Sequence, residues 1–245
     1  DLVLTPVTGL PTTLTNLTLS AAKTEGLETL QISNAVGIDN DLTKVFNTTI
    51  RDLSGQALEL KFLETIGSSY TGNDKYTVQD SGDLTITTVT QNNNSTGTFA
   101  DNVTAIAAPK VMINIGDDTI YTGTVTANAA DSASISLGSG GALSDATLSV
   151  TSAKNIAIDG ATDTAITNLK LEGQNVSDLT ITGSVIINGL NSSSNLNSLS
   201  AITSTSLGGI DLTGLPTSFA FGSFAKDAGI NAEKSVVATI TGFGL

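Results

Sequence analysis

The side chains in this sequence that could carry out chemistry are carboxylates. The chain of 245 residues has 23 Asp and Glu residues but no histidine and no cysteine. The commonest general base and the thiol nucleophile are therefore missing. A pair of carboxylates could still hydrolyse glycosidic bonds. Against this, tryptophan is absent and aromatic residues make up only 4% of the chain, so the usual stacking surface for sugars is thin. We expect no enzymatic activity.

One acidic run has a spacing that suits a metal ion. Residues 114–121 read NIGDDTIY, and Gly-Asp-Asp-Thr-Ile resembles part of the calcium-binding nonapeptide repeat of type I secreted proteins. In that repeat, carboxylates and carbonyls of successive turns bind calcium, and a following apolar residue packs inward. The resemblance makes Asp117 and Asp118 calcium candidates and Ile120 the packed residue. Because the chain holds a single degenerate copy, a Gly-Asp turn leading into a strand is the alternative.

The charge balance excludes several partners. The net charge is −13, with 10 basic residues and a single arginine, Arg51. Nucleic-acid binding needs clustered Lys and Arg to neutralise phosphates, so we expect none. An anionic membrane surface would repel this chain, and no run of 18 or more apolar residues is present to span a bilayer. An acidic surface does attract divalent cations and keeps concentrated copies apart.

Composition predicts an exported all-β protein. Charged residues make up 13% of the chain, against ~25% in typical globular domains, and Thr, Ser, Asn, Gly and Ala take their place. Thr-rich strands fit this exterior, since β-branched residues pack well on a pleated surface. Alternating segments predict strands, and 39–56 could hold a short helix. These strand segments are 14–20, 27–33, 57–63, 76–79, 83–90, 110–115 and 119–127.

A repeat follows in the second half of the chain. The template apolar-x-x-apolar-x-apolar occurs at Leu143/Ala146/Leu148, Ala153/Ile156/Ile158, Ile166/Leu169/Leu171 and Val176/Leu179/Ile181. Alternate copies recur at about 23 residues, which predicts a parallel β-helix-like solenoid with two short strands per coil. An open sandwich of Thr-rich strands and a leucine-rich repeat are the alternatives. The leucine-rich repeat lacks support, because no Asn or Cys recurs at the position where that repeat has its ladder of Asn or Cys side chains.

The chain divides into two predicted regions. Residues 137–142 (LGSGGA) carry almost no side chain to pack, which predicts a flexible junction. Residues 1–136 form a β-rich region, in which 57–136 repeat less clearly and are predicted to be sandwich-like. Residues 143–245 form the solenoid. The same template near the start, at Leu14/Leu17/Leu19 and Leu27/Leu30/Ile32, relates the first region to the second.

Two segments resemble a known class of protein. Residues 148–183 (LSVTSAKNIAIDGATDTAITNLKLEGQNVSDLTITG) and 26–32 (GLETLQI) are similar to the Thr-, Ala- and Gly-rich repeats of Gram-negative surface-layer proteins. Those proteins, such as the ones of Caulobacter and Campylobacter, are exported by type I systems and have almost no cysteine. The resemblance implies an extracellular protein that forms a two-dimensional lattice on the cell surface. It also implies calcium between subunits and lipopolysaccharide as the anchor.

The expected function is therefore structural. We predict a domain of a surface-layer protein whose partners are other copies of itself. The alternative is an adhesin or glycan-binding module of a secreted surface protein, which would bind through loops such as residues 91–97.

Overall fold

The computed structural model describes residues 2–4, 16–20, 27–33, 47–64, 74–91, 96–199, 201–204 and 210–211. Every regular element in these ranges is a β-strand, which confirms the predicted all-β class. In chain order the strands are β1 (Leu2–Leu4), β2 (Asn16–Ser20), β3 (Thr29–Ser33), β4 (Asn47–Arg51), β5 (Leu58–Glu64), β6 (Lys75–Val78), β7 (Leu84–Thr90), β8 (Gly97–Phe99), β9 (Asn102–Ala105), β10 (Lys110–Ile115), β11 (Thr119–Tyr121), β12 (Thr124–Thr126), β13 (Ser132–Leu137), β14 (Ala142–Ser144), β15 (Thr147–Ser149), β16 (Asn155–Glu172), β17 (Asp178–Leu190), β18 (Ala201–Ser204) and β19 (Ile210–Asp211).

The strands stack in parallel, and each coil of the chain pairs with the coil before it. One interior column shows the register through the whole stack. Its members are Leu2, Leu30, Leu60, Ile86, Ile113, Ile135, Ile158 and Ile181. Such a winding is a β-solenoid, and burial of these columns between coils stabilises it. The predicted solenoid is confirmed.

From residue 97 onward each coil contributes strands to three faces, called faces I, II and III. The described strands before residue 97 belong to faces I and III. Face I consists of β1, β3, β5, β7, β10, β13, the first parts of β16 and β17, and β18. Face II consists of β8, β11, β14, the middle of β16, the second part of β17, and β19. Face III consists of β2, β4, β6, β9, β12, β15 and the end of β16.

The predicted period of the repeat is confirmed, but the predicted number of strands per coil is wrong. Leu148 pairs with Leu171 on face III, and Ile158 pairs with Ile181 on face I. Face II was missed because it is short. Its inward residues Leu143 and Ile166 stand just before those of face III and read as the first position of the same template.

The sandwich-like region predicted for residues 57–136 is also wrong. Its strands on face I belong to the same parallel stack as the rest. Leu60 pairs with Ile86, and Ile86 pairs with Ile113 at a similar distance along the chain. Ile113 then pairs with Ile135, which follows it more closely in sequence. The coil shortens within this region, so no fixed period is visible in its sequence.

Three smaller differences concern element boundaries. Part of the predicted helix at 39–56 lies outside the described residues, and its remainder includes strand β4. The predicted strand 119–127 is divided into β11 and β12, because the chain turns a corner at Thr122 and Gly123. The spacing of Leu196, Leu199 and Ala201 also matches the template, but it is out of register with the copies before it, because Ile202 pairs with Leu179 and Ser204 pairs with Ile181.

Residues 137–142 lie between β13 and β14, at the corner from face I to face II. Backbone hydrogen bonds tie this turn to both neighbouring coils. The amide of Gly138 donates to the carbonyl of Ile115, and the amide of Gly140 donates to that of Thr162 (2.7 and 3.0 Å). Gly140 has a φ of 68°, a conformation that glycine adopts without strain. The division of the chain into 1–136 and 143–245 stays a prediction.

Candidate functional site

The turn that carries Asp117 and Asp118 lies between β10 and β11, at the corner from face I to face II. Both side chains are exposed. The carboxylate of Asp117 accepts a hydrogen bond from the amide of Ser139 in the next coil (Oδ1 to N, 2.8 Å). The amide of Asp118 donates to the carbonyl of Ser139 (2.9 Å). One Asp117 oxygen therefore holds the following turn in place, while the exposed side chain stays accessible to a ligand.

Asp118 has a second, conformational role. Its φ is 49°, in the left-handed region. Asp and Asn tolerate this region better than most residues, because their short side chains bond locally. The same corner has Gly140 and Asp163 in this conformation one and two coils later, with φ of 68° and 57°. The choice of Asp at position 118 is thus explained by the turn.

A further carboxylate, that of Glu64, lies at this corner and is not apparent from the sequence motif. Glu64 is 3% exposed, and its Oε2 accepts a hydrogen bond from Oγ1 of Thr90 (3.1 Å). Its carboxylate closely approaches Gly97, whose amide donates to the carbonyl of Asp118 (3.2 Å). Across the described part of the chain, no three acidic side chains converge on one point. A cation at Asp117 would therefore need carbonyl, hydroxyl or water ligands as well.

An open groove on the outer side of face I forms a second candidate site. Its volume is about 550 Å³, and its lining includes the carboxylates of Glu28, Glu59 and Asp83 together with Gln56 and Met112. Such a set of acceptors suits a polyhydroxylated or cationic ligand. The groove combines residues of several coils, so only the fold reveals it. The loop 91–97, proposed from the sequence as a binding loop, lies largely outside the described residues.

A buried phenol holds the corner between faces II and III. The hydroxyl of Tyr121 donates to the carbonyl of Asp101 in the preceding coil (2.6 Å), and the carboxylate of Asp101 accepts from the amide of Asp74 (3.1 Å). Burial, with a smaller contribution from the charge of Asp101, raises the pKa of Tyr121 well above its usual range. The phenol thus stays protonated and serves as a structural donor.

The same corner between faces II and III carries a ladder of side-chain amides and carboxylates. Asn168 donates from Nδ2 to Asp145, and Asn191 donates from Nδ2 to Oδ1 of Asn168 (3.1 Å). Asp145 and Asn168 both have positive φ. The ladder can be found in the sequence, because positions 145, 168 and 191 repeat with the same period as the core. It is not obvious there, because its first member is Asp and the other two are Asn.

A column of hydroxyls runs along the outer side of face III. Its members, one per coil, are Thr18, Thr49, Thr77, Thr104, Thr126 and Ser149, and Glu172 follows. Hydrogen bonds from Lys170 and Ser149 lower the pKa of Glu172, and Lys170 Nζ lies 2.5 Å from its Oε1. One outward column of this face is thus a row of short hydroxyl side chains that ends in an ion pair.

Fold and site together define a parallel β-solenoid with an acidic groove on face I and a column of hydroxyls on face III. Comparison with protein-family models, with curated proteins and with solved structures gives no match. In the part of the chain that the structure describes, no helix is long and apolar enough to cross a bilayer.

Proposed function

We propose that this chain is a structural domain of a bacterial surface-layer protein, exported to the cell surface, where it self-assembles into a two-dimensional lattice. The observation that carries the proposal is the uninterrupted parallel stack, in which the side chains of each coil bury against the next. Coils that contact only their neighbours form an elongated body. Such a body suits a mechanical role in a layer.

The outer surface supports the same role. Outward positions carry mainly Thr, Ser and Asn, and the net charge of −13 keeps free copies apart at high concentration. In this proposal, calcium at Asp117 and Asp118 assists assembly, lipopolysaccharide or a surface glycan anchors the layer, and the chain has no catalytic activity. The resemblance of residues 148–183 to surface-layer repeats is the source of these roles.

Electron microscopy of the purified chain, with calcium and with a chelator, tests the proposal. Ordered sheets with a regular repeat are expected in calcium, and dispersed particles are expected in chelator. Dispersed particles in both conditions, at concentrations where surface proteins assemble, would contradict it.

The alternative is an adhesin or glycan-binding module, and the groove on face I favours it. Carboxylates and amides that converge in a groove bind sugar hydroxyls. Binding of the chain to a panel of immobilised surface glycans tests this function. The Asp83→Asn variant should weaken binding, and Asp131→Asn, which changes an exposed carboxylate outside the groove, should not. Equal binding by both variants would remove the groove from consideration.

A further inference from the structure

Face II has an unusual outer surface. One outward column carries Thr98, Ile120, Ala142, Ala165 and Ile186, in register on successive coils. The prediction that Ile120 packs inward is wrong, because its neighbours Thr119 and Tyr121 are the buried residues of β11. Ile186 is 40% exposed, one of the largest exposures of a big apolar side chain in the described residues. The order of sizes is regular, since two alanines lie between two isoleucines. Because adjacent coils are about 4.8 Å apart, the alanines form a shallow notch about 10 Å high.

The charge of face II differs from that of the other faces. Its second outward column carries Ser144, Thr167 and Asn188, and Asp211 follows in the next coil. Both columns are therefore uncharged as far as the coil of Ile186 and Asn188. Face I has outward Glu59, Lys61 and Asp159, and face III has Lys75 and Lys170. Two copies of a chain with net charge −13 therefore meet at face II without charged side chains in the centre of the contact.

We propose that face II is a contact between two copies of this chain, whose solenoids run antiparallel about a two-fold axis that passes through Ala142 along the strand direction. In this arrangement Ile120 of each copy fills the space over Ala165 of the other, and the two Ala142 side chains meet at the axis. A parallel arrangement places isoleucine over isoleucine and leaves the alanine notch empty. Two-fold contacts need such a self-complementary patch. The inference rests on the proposed function and names the surface that the subunits use.

Carboxylates at the edge of the proposed contact repel each other, and this repulsion depends on the salt concentration. Asp118 and Asp163 stand two residues before Ile120 and Ala165, at the corner that borders face II. The antiparallel arrangement brings Asp118 of one copy opposite Asp163 of the other, and at the opposite corner it brings the exposed Asp145 of each copy near the two-fold axis. Like charges at an exposed edge repel, and salt screens them. Five coils about 4.8 Å apart with strands of about three residues form a patch on the order of a few hundred Å², which is below the ~800 Å² per partner of a standard interface. The contact is therefore weak and strengthens with sodium chloride.

Sedimentation velocity of the purified chain over a wide concentration range tests the contact. Ala165→Glu should weaken self-association at least about tenfold, because it buries an unpaired charge. The matched control is Ala157→Glu, which makes the same change in the same strand at an exposed outward position of face I and should leave association unchanged. Asp163→Asn should strengthen association about two- to fivefold at low salt and reduce its salt dependence.

The outcomes separate the inference from the proposed function. If Ala165→Glu associates and forms sheets like the unmodified chain, the face II contact is wrong and the surface-layer proposal stands. If Ala157→Glu weakens association as much as Ala165→Glu, the effect is one of net charge and the contact is again wrong. If the unmodified chain is monomeric at every concentration and forms no sheets, both the inference and the proposed function fail.

Discussion

The side-chain amide of Asn168 donates a hydrogen bond from Nδ2 to Oδ1 of Asp145, one coil earlier at the same corner (2.6 Å). Asn168 has a φ of 52° and Asp145 a φ of 53°. A side chain that tolerates the left-handed conformation also links successive coils. The same two residues therefore meet two requirements of the corner, backbone geometry and contact between coils.

Substitution of Asn168 separates these two requirements. Asn168→Ala removes the ladder hydrogen bonds and places a Cβ-bearing residue without a local hydrogen bond at positive φ, so the free energy of unfolding should fall by about 1–2 kcal/mol. Asn168→Gly removes only the hydrogen bonds, because glycine adopts this φ freely. It should cost less than the alanine variant in urea unfolding. Equal losses would show that the backbone conformation contributes nothing.

Gly123 should tolerate no side chain. A Cβ at this position would collide with the carbonyl oxygen of Asp101 and would lie 2.7 Å from the hydroxyl of Tyr121. Gly123→Ala should therefore separate the coils locally and lower the free energy of unfolding by about 3 kcal/mol. Gly55→Ala is the control, since its Cβ would meet nothing within 4 Å and only its φ of 81° opposes the change. A smaller loss at Gly123 than at Gly55 would contradict the steric argument.

Alkaline pH should destabilise the fold through Tyr121. The native state holds the phenol protonated, because burial raises the pKa of Tyr121, whereas the unfolded chain ionises near the ordinary value of about 10. This contribution is complete below that pH and is lost as pH rises, by at most about 1.4 kcal/mol per pH unit. Urea unfolding as a function of pH should show a shallower alkaline fall for Tyr121→Phe. Identical slopes would mean that the phenol ionises within the native fold.

Calcium should stabilise the fold through Asp117. A ligand bound only by the native state raises the melting temperature, so the chain should melt at a higher temperature in excess calcium than in chelator. Asp117→Asn keeps an oxygen that can accept the Ser139 amide hydrogen bond but removes the charge. It should abolish the calcium effect, and in chelator it should change the stability by no more than about 0.5 kcal/mol, as is usual for an exposed side chain. An unchanged melting curve for the unmodified chain rules out the site.

The sequence predicted the features of the fold that depend on alternation and period. Ile158 and Ile181 follow the predicted period because each must pack on the residue one coil away. The third face could not be found in this way, since Leu143 and Ile166 are the only apolar residues with large side chains that point inward in their short stretches, beside inward Gly141 and Thr164. The coils before residue 111 vary in length, because corners accept insertions that the paired strands do not.

Candidate sites were harder to predict than the fold. The motif at 114–121 drew attention to Asp117 and Asp118, but their roles in the turn depend on Ser139 of the next coil and on a backbone angle. Glu28, Glu59 and Asp83 line one groove only after the coils are stacked. Residues far apart in sequence become neighbours because of the register between coils. This register depends on the length of each coil, which a single sequence does not reveal.

On face I the register between β13, β16, β17 and β18 is constant, which makes molecular length an adjustable property. Duplication of one whole coil here would insert a rung whose two edges match those already present. Each such event would extend the rod by about 4.8 Å and leave the remaining strands with their partners. If the chain forms the proposed surface layer, the thickness of that layer would change during evolution by whole rungs, without redesign of either end.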